Sequence, residues 1–403
     1  MNTKTEKLGL KENLPQFVLL LIINAFVGGM VGIERTIIPQ FASDNFNISS
    51  NSAILSFIIA FGITKAITNY VFGQLANLLG RKKLLVIGWL FAIPVPFFLI
   101  NASDWNWVIF ANILLGINQG LTWSSTVNMK IDLVGEKDRG FAMGLNEFSG
   151  YLSVGITAYL SGYIANKYGL TPYPFYIGTI IAFSGLLMTI FFVRETRSFV
   201  KIESKIRKSN VLESVFFETT FKNKTLSSVT QAGLVNNLND GMIWGLLPIL
   251  LLSISLNTEQ IGLIAAAYPT FWGIGQLFTG KMSDIYSRKK MLFWGMFIQG
   301  TSILFLPFII DFKFLLSISI MIGIGTAIVY PTFLTVIAEE SSPTQRAESI
   351  GVFRLWRDLG YAIGAVVSGI TADFLGIKFS IILIGLITIF SSFIIKFRMP
   401  SKS

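Results

Sequence analysis

The stretch whose reading decides the fold occurs twice: GQLANLLGRKK at residues 73–83 and GKMSDIYSRKK at residues 280–290. Gly73 and Gly280 lie 207 residues apart. The same offset pairs Gly88 with Gly295, Gly116 with Gly323, Arg139 with Arg346, Gly144 with Gly351, Gly162 with Gly369, Ala165 with Ala372 and Gly169 with Gly376. Matches at one offset along several segments mean a duplicated unit, not a chance motif.

Outward from these loops the chain is apolar. Of its 403 residues, 52% are hydrophobic and 13% charged, against about 25% charged in an ordinary soluble domain. A hydrocarbon core of about 30 Å needs roughly 20 residues per helix. Hydropathy places spans of that length at 15–40, 52–76, 84–101, 106–129, 140–165, 172–193, 227–254, 259–281, 289–310, 314–337, 346–372 and 378–397. The expected fold is therefore an all-α integral membrane protein: a six-helix bundle over 1–193, a linker over 194–226, and a second six-helix bundle over 227–403. Twelve is an even count, so both termini face one side. Loops on that side collect Arg81, Lys82, Lys83, Lys130, Arg139, Arg288, Lys289, Lys290, Arg346, Lys396 and Arg398, against Arg35, Lys167, Lys313 and Lys378 on the other. The positive-inside rule makes the termini and the linker cytoplasmic in a cell membrane. The polar N-terminal tail then reads as a cytoplasmic lead into helix 1. In the linker, Val211, Leu212, Val215 and Phe216 recur at helical spacing and predict a short helix lying on the membrane surface.

Cysteine and histidine are both absent. Disulfides, thiolate metal sites and Cys nucleophiles are excluded, and a membrane-embedded proton switch must use Asp, Glu or Lys. No G-x-x-x-x-G-K-[ST] loop occurs, so ATP is not the expected energy source. The net charge of +10 is explained by membrane orientation and not by nucleic acid.

Both copies of the opening loop resemble the G-x-x-x-D-x-x-G-R-[KR]-[KR] loop of the major facilitator superfamily. Twelve spans, a long central loop, a parallel repeat and the VRET ending of helix 6 (Val193 to Thr196) agree with it. The general pattern is most similar to the drug:proton antiporter-like members, with departures: Gly116 stands where those carry an Arg before Gln119-Gly120, and helix 5 has no proline. The resemblance implies two bundles rocking about a central site lined by helices 1, 4, 7 and 10. It also implies gates at Gly73, Asn77, Gly80 and Arg81 in one half and Gly280, Asp284 and Arg288 in the other. There an acid latches onto a helix N-terminus of the opposite half, and Asn77 in place of that acid implies a weaker latch.

Ionisable side chains within spans are the candidates for transport, because each costs at least a few kcal/mol to insert. Asp240 falls about 20 Å into helix 7 at 1.5 Å per residue, near the midplane. With Asn236 one turn below, it points to substrate or proton binding or to interhelical hydrogen bonding. On helix 4, Asn112, Gln119, Trp123 and Thr126 share a face, with Asn118 beside it. This is a polar lining edged by an aromatic ring, or equally a packing surface. Asn24 and Tyr330 are lining candidates by position. Lys65 in helix 2 and Asp358 in helix 11 are candidates for a gating pair between halves; an Arg354–Asp358 pair within helix 11 is the alternative. Glu147 takes the repeat position of Arg354, and either titrates during transport or holds a neighbouring helix. Glu34 and Arg35, about 28 Å up helix 1, are expected near the outer surface. Arg357 completes the basic set. The function this implies is a monomeric secondary transporter of a small solute, driven by a proton gradient without a cofactor. Efflux of amphipathic compounds and transport of an organic anion both remain open.

Overall fold

The computed structural model describes residues 7–135, 138–206, 211–256 and 258–400. The first residues of the N-terminal tail and the Asp284 side chain, on which the second gate acid rests, lie outside it. Helices 1 to 6 are Leu14–Phe46, Ser56–Leu79, Arg81–Ala92 continuing as Pro94–Ile100, Trp105–Val134, Arg139–Tyr168 and Tyr173–Phe192. Helices 7 to 12 are Lys224–Ser253, Thr258–Ile285, Arg288–Phe305, Phe312–Glu340, Arg346–Leu375 and Ile377–Arg398. Each coincides with an expected span, and the described residues form no strand. Several helices run past the hydropathy limits, helix 1 to Phe46 and helix 4 to Val134, because backbone hydrogen bonds continue into water or into the protein beyond the hydrocarbon.

By length and apolarity alone, nine of these helices qualify as membrane spans among the described residues. The three that fall short are helices 4, 5 and 7, whose polar residues turn inward: every residue from Asn118 to Val134 of helix 4 is buried. Large apolar side chains such as Ile180, Phe191, Phe278, Phe314 and Phe397 are instead exposed around the outside, as a bilayer-facing surface requires.

The duplication is visible in the joints. Asp104 caps helix 4 and Asp311, at the repeat offset, caps helix 10, each accepting from backbone N–H groups of the first turn. Gly169 and Gly376 end helices 5 and 11 with φ of 95° and 87°, a region L side chains avoid. The halves meet where helix 2 crosses helix 11 and helix 5 crosses helix 8. A Cβ on Gly73 would lie 3.1 Å from the Cα of Gly351, and one on Gly280 would lie 2.8 Å from the Cα of Gly144. The two crossings are copies of each other, and glycine is what lets the backbones approach.

The linker differs from expectation. Its helix is Arg197–Ile206, ahead of the predicted Val211–Phe216 stretch, of which only Val215 and Phe216 enter a short turn, Val215–Phe217. The reason is what the earlier segment can bury: Phe199, Val200 and Glu203 lie on one side and are all buried against the protein, so the helix docks on the bundles instead of lying on lipid.

Candidate functional site

On the side of the linker, the repeated loops build two matching ion pairs. Arg81 Nε donates to Asp132 at 3.1 Å, and Arg288, at the repeat offset, pairs with Glu339. Arg81 also donates to Asn77 Oδ1 at 3.1 Å, and Asn77 Nδ2 reaches across to the Thr344 carbonyl at 3.0 Å. Asn77 therefore links the halves through one neutral hydrogen bond given to a carbonyl, not through a charge accepting from N–H groups. Gly80 turns the chain with φ of 89°. Glu195 of the VRET segment accepts from the N–H groups of Arg81 and Lys82 at 3.1 and 3.0 Å.

A further joint comes from the linker. Arg139 and Arg346, repeat partners from opposite halves, converge on Glu203, with contacts of 2.8 Å from Arg139 and 2.7 and 2.9 Å from Arg346. Burial pushes the Glu203 carboxyl up, but the hydrogen bonds and charge of Arg346 and the charge of Arg139 outweigh it and hold the group below its ordinary value.

Where the two halves meet lies a cluster of buried charged and aromatic side chains. Asp358 is its hub: it accepts from Arg357 Nε at 2.7 Å, from Asn237 at 3.1 Å and from Asn69. Lys65 stands 3.9 Å from it, with its ammonium 5.3 Å from the ring centres of Phe61 and Tyr361 and 5.6 Å from that of Trp123. The expected contact between halves is present, yet Arg357 is the closer partner. Arg354 does not pair with Asp358 one turn on; its Nη1 donates to Ser124 Oγ at 2.8 Å in the opposite half, and Ser124 donates to Asn69. Glu147 accepts from Trp123 Nε1 at 3.2 Å and from Asn146. Aromatic rings pack into the same cluster: Tyr151 stacks on Trp272 with ring centres 3.4 Å apart, and Tyr330 lies edge-on to both. Arg357 also donates to the Tyr330 hydroxyl. Asp240 accepts from Tyr268, and its second oxygen has no hydrogen-bond partner.

Lys65, Trp123, Glu147, Asp240, Tyr330, Arg354, Arg357 and Asp358 thus converge. Asn236 reaches only Asn237, at 3.4 Å. Other candidates stitch the first bundle together. Asn24 donates to the Asn146 carbonyl at 2.7 Å, Gln119 to the Val27 carbonyl at 2.8 Å and Asn118 to the Gly88 carbonyl at 3.0 Å. Asn112 returns to its own helix at Val108.

Two charges sit elsewhere than expected. Lys130 is not a loop residue: it is wholly buried in helix 4 and donates to the Leu20 carbonyl at 3.1 Å and to Asn146. Hydropathy ended the span at residue 129, although the seven-residue step from Trp123 placed Lys130 on the inward face. Arg35 is buried at 4% exposure with its guanidinium 4.8 Å over the Phe61 ring. Helix 1 continues for eleven residues beyond it, so it lies deeper than a helix ending at residue 40 implied. Tyr151 and Ser124 carried no sequence signal beyond being polar or aromatic within a span, whereas Asn69 shares a helix 2 stripe with Lys65 and Gly73, and Trp272 stands at the repeat position of Lys65.

The profile of the Major Facilitator Superfamily matches residues 20–231 and 229–403. This chain belongs to the major facilitator superfamily. Among relatives, an MFS-type transporter of Methanocaldococcus jannaschii is 31% identical over 154 residues, 38% of this chain and 40% of the relative. The proton-coupled antiporter flippase LtaA of Staphylococcus saprophyticus is 25% identical over 375 residues, 90% of this chain and 88% of LtaA. Among solved structures, the human organic anion transporter MFSD10 (TETRAN) superposes with a TM-score of 0.74 at 13% identity, covering 95% of this chain and 99% of that one. That likeness concerns the fold. The twelve-helix, two-repeat architecture read from the loops is thus the superfamily's.

Proposed function

We propose that this superfamily member is a proton-coupled secondary transporter that moves a small amphipathic solute along the joint between its two halves by alternating access. The bundles 1–193 and 227–403 rock about the glycine crossings, with the linker and both termini on the cytoplasmic side of the cell membrane. The observation that carries the reading is the buried acidic set near the joint of the halves: Glu147, Asp240 and Asp358 are each wholly buried, and Asp358 accepts from Asn69 of the opposite half. Each is contributed by a helix packed against the inter-half surface. Carboxylates in that setting are stable only when paired or protonated, so opening toward one side or the other changes their access to protons. The aromatic rings of Trp123, Tyr151, Trp272 and Tyr330 suit a solute with an apolar body. The name of the relative LtaA, a proton-coupled antiporter flippase aligned over most of the chain, supports the same mode.

The test is flux in proteoliposomes. Solutes that raise the melting temperature of the purified protein are offered with and without an imposed pH gradient, and an internal pH dye reports protons. Solute-dependent proton movement is the expected result. Flux that ignores the gradient for every stabilising solute overturns the proton coupling.

A further inference from the structure

We propose that Arg354 anchors an oxyanion group, a carboxylate or a phosphate, on the transported solute, and that Glu147 is the internal carboxylate which that group replaces. The inference rests on the reading of the buried cluster between the halves as the transport site and adds the chemistry of the cargo.

Four of the buried basic side chains near the joint of the halves differ in how they are satisfied. Arg357 is neutralised by Asp358 and also donates to Tyr330. Lys130 has Asn146 and the Leu20 carbonyl. Lys65 has its ion pair to Asp358 and three aromatic rings. Arg354 alone of these is left short: at 0% exposure it uses Nη1 on Ser124, while Nε and Nη2 have no hydrogen-bond partner. Those two nitrogens form the side edge of the guanidinium, the edge that takes a carboxylate or phosphate through two parallel hydrogen bonds. A buried guanidinium with that edge bare is costly unless something fills it during the cycle.

Glu147 occupies the repeat position of Arg354 in the other half. Its Oε1 accepts from Trp123 and Asn146, and its Oε2 has no partner. The two side chains feel each other's charge without forming an ion pair among those between described residues. One bare edge and one bare carboxylate oxygen therefore stand on opposite halves, at symmetric places. In the empty carrier the Glu147 oxygen is available to Arg354; in the loaded carrier the solute's oxyanion takes the edge and Trp123 lies beside the solute's apolar body. Arg354 also reaches the hub through Ser124 and Asn69 to Asp358, so occupancy of its edge is felt where the halves join.

The test uses the purified full-length protein in neutral detergent, with phenyl phosphate and benzoate as probes and benzyltrimethylammonium and benzyl alcohol as controls. Binding is read by thermal stabilisation and by tryptophan fluorescence. Both anions stabilise the wild type and the controls do not. Arg354→Gln weakens phenyl phosphate binding at least about tenfold, as expected for losing hydrogen bonds to a charged group. Arg354→Lys retains part of it, and Glu147→Gln tightens it by removing the competing carboxylate. Undiminished anion binding by Arg354→Gln, or stabilisation by the cation alone, overturns the anchor; weaker binding by Glu147→Gln overturns the replacement. Should Arg354→Gln not fold, phenylglyoxal labelling of the wild type, mapped by mass spectrometry, decides: phenyl phosphate protects Arg354, and equal labelling with and without it overturns the proposal. A pH-driven flux of cations with no anion binding sinks the anchor and leaves the transporter reading standing. Anion binding without any proton-linked flux does the reverse.

Discussion

Replacing Glu203 by Gln should loosen the joint that the linker makes between the two halves. The carboxylate accepts three charge-assisted hydrogen bonds of 2.7 to 2.9 Å from Arg139 and Arg346, which belong to opposite halves. All three side chains are buried, at 4% exposure or less. Removing one partner of such a buried pair costs about 3–5 kcal/mol, mostly from charges left uncompensated. When the joint opens, both guanidinium groups regain water, so the open form escapes most of that penalty. Taking the lower figure, the ratio of open to closed carriers should rise by more than about a hundredfold at 1.36 kcal/mol per tenfold. The chain has no Cys, so spin labels can be placed on Lys83→Cys and Lys290→Cys, exposed positions in the first turns of helices 3 and 9. Electron–electron resonance should show a longer distance dominating in Glu203→Gln. An unchanged distance distribution in folded variant protein would refute the latch. The same labels test pH. Because the Glu203 carboxyl is held below its ordinary value of 4.5, the stabilisation it supplies is fully present above that value and is lost as pH falls through the lowered one. The wild-type distance should hold steady from pH 8 to 5 and lengthen only in stronger acid.

Asp240→Asn should abolish flux driven by a pH gradient while leaving solute exchange at equal pH measurable; retained gradient-driven flux would remove Asp240 from coupling. Gly144→Val should prop the gate open, because a Cβ there already lies 2.4 Å from the Gln276 carbonyl oxygen; Gly144→Ala should lie between it and wild type in the spin-label distances. Asp358→Asn leaves Arg357 and Lys65 without their shared acid and should lower the melting temperature by an amount equivalent to about 3–5 kcal/mol. Since Arg357 is the closer partner, Arg357→Gln added to Asp358→Asn should restore stability, whereas the Lys65→Asp, Asp358→Lys swap should not; rescue by the swap would show that Lys65 is the main partner.

The spans, the orientation signal and the duplication were legible because each is a one-dimensional property: an apolar run long enough to cross a bilayer, the side on which Lys and Arg collect, a spacing of 207 residues. The same offset relates two ion pairs that the structure shows, since Arg81 and Arg288 meet acids at matching places. Ionisable residues within spans were legible for the same reason, as departures from apolar background, and most of them do converge. Sequence failed where a residue's meaning depends on which neighbour faces it. Asn118 and Gln119 are adjacent polar groups on helix 4, yet the first donates to helix 3 and the second to helix 1. Lys130 counted as a loop charge because composition ends a span where the charge begins, although the helix continues and buries it.

What the sequence by itself determined is the scaffold, two copies of a six-helix membrane unit with basic loops on one side, because hydrophobic length and charge placement respond to the bilayer and need no partner residue. Only the tertiary structure decided the pairings: Asp358 with Arg357 more closely than with Lys65, Glu203 between Arg139 and Arg346, and a bare guanidinium edge on Arg354. Those depend on the crossing of helices from separate halves, and short-range hydrogen bonds and ion pairs change partner with shifts of a few ångströms that no linear spacing records.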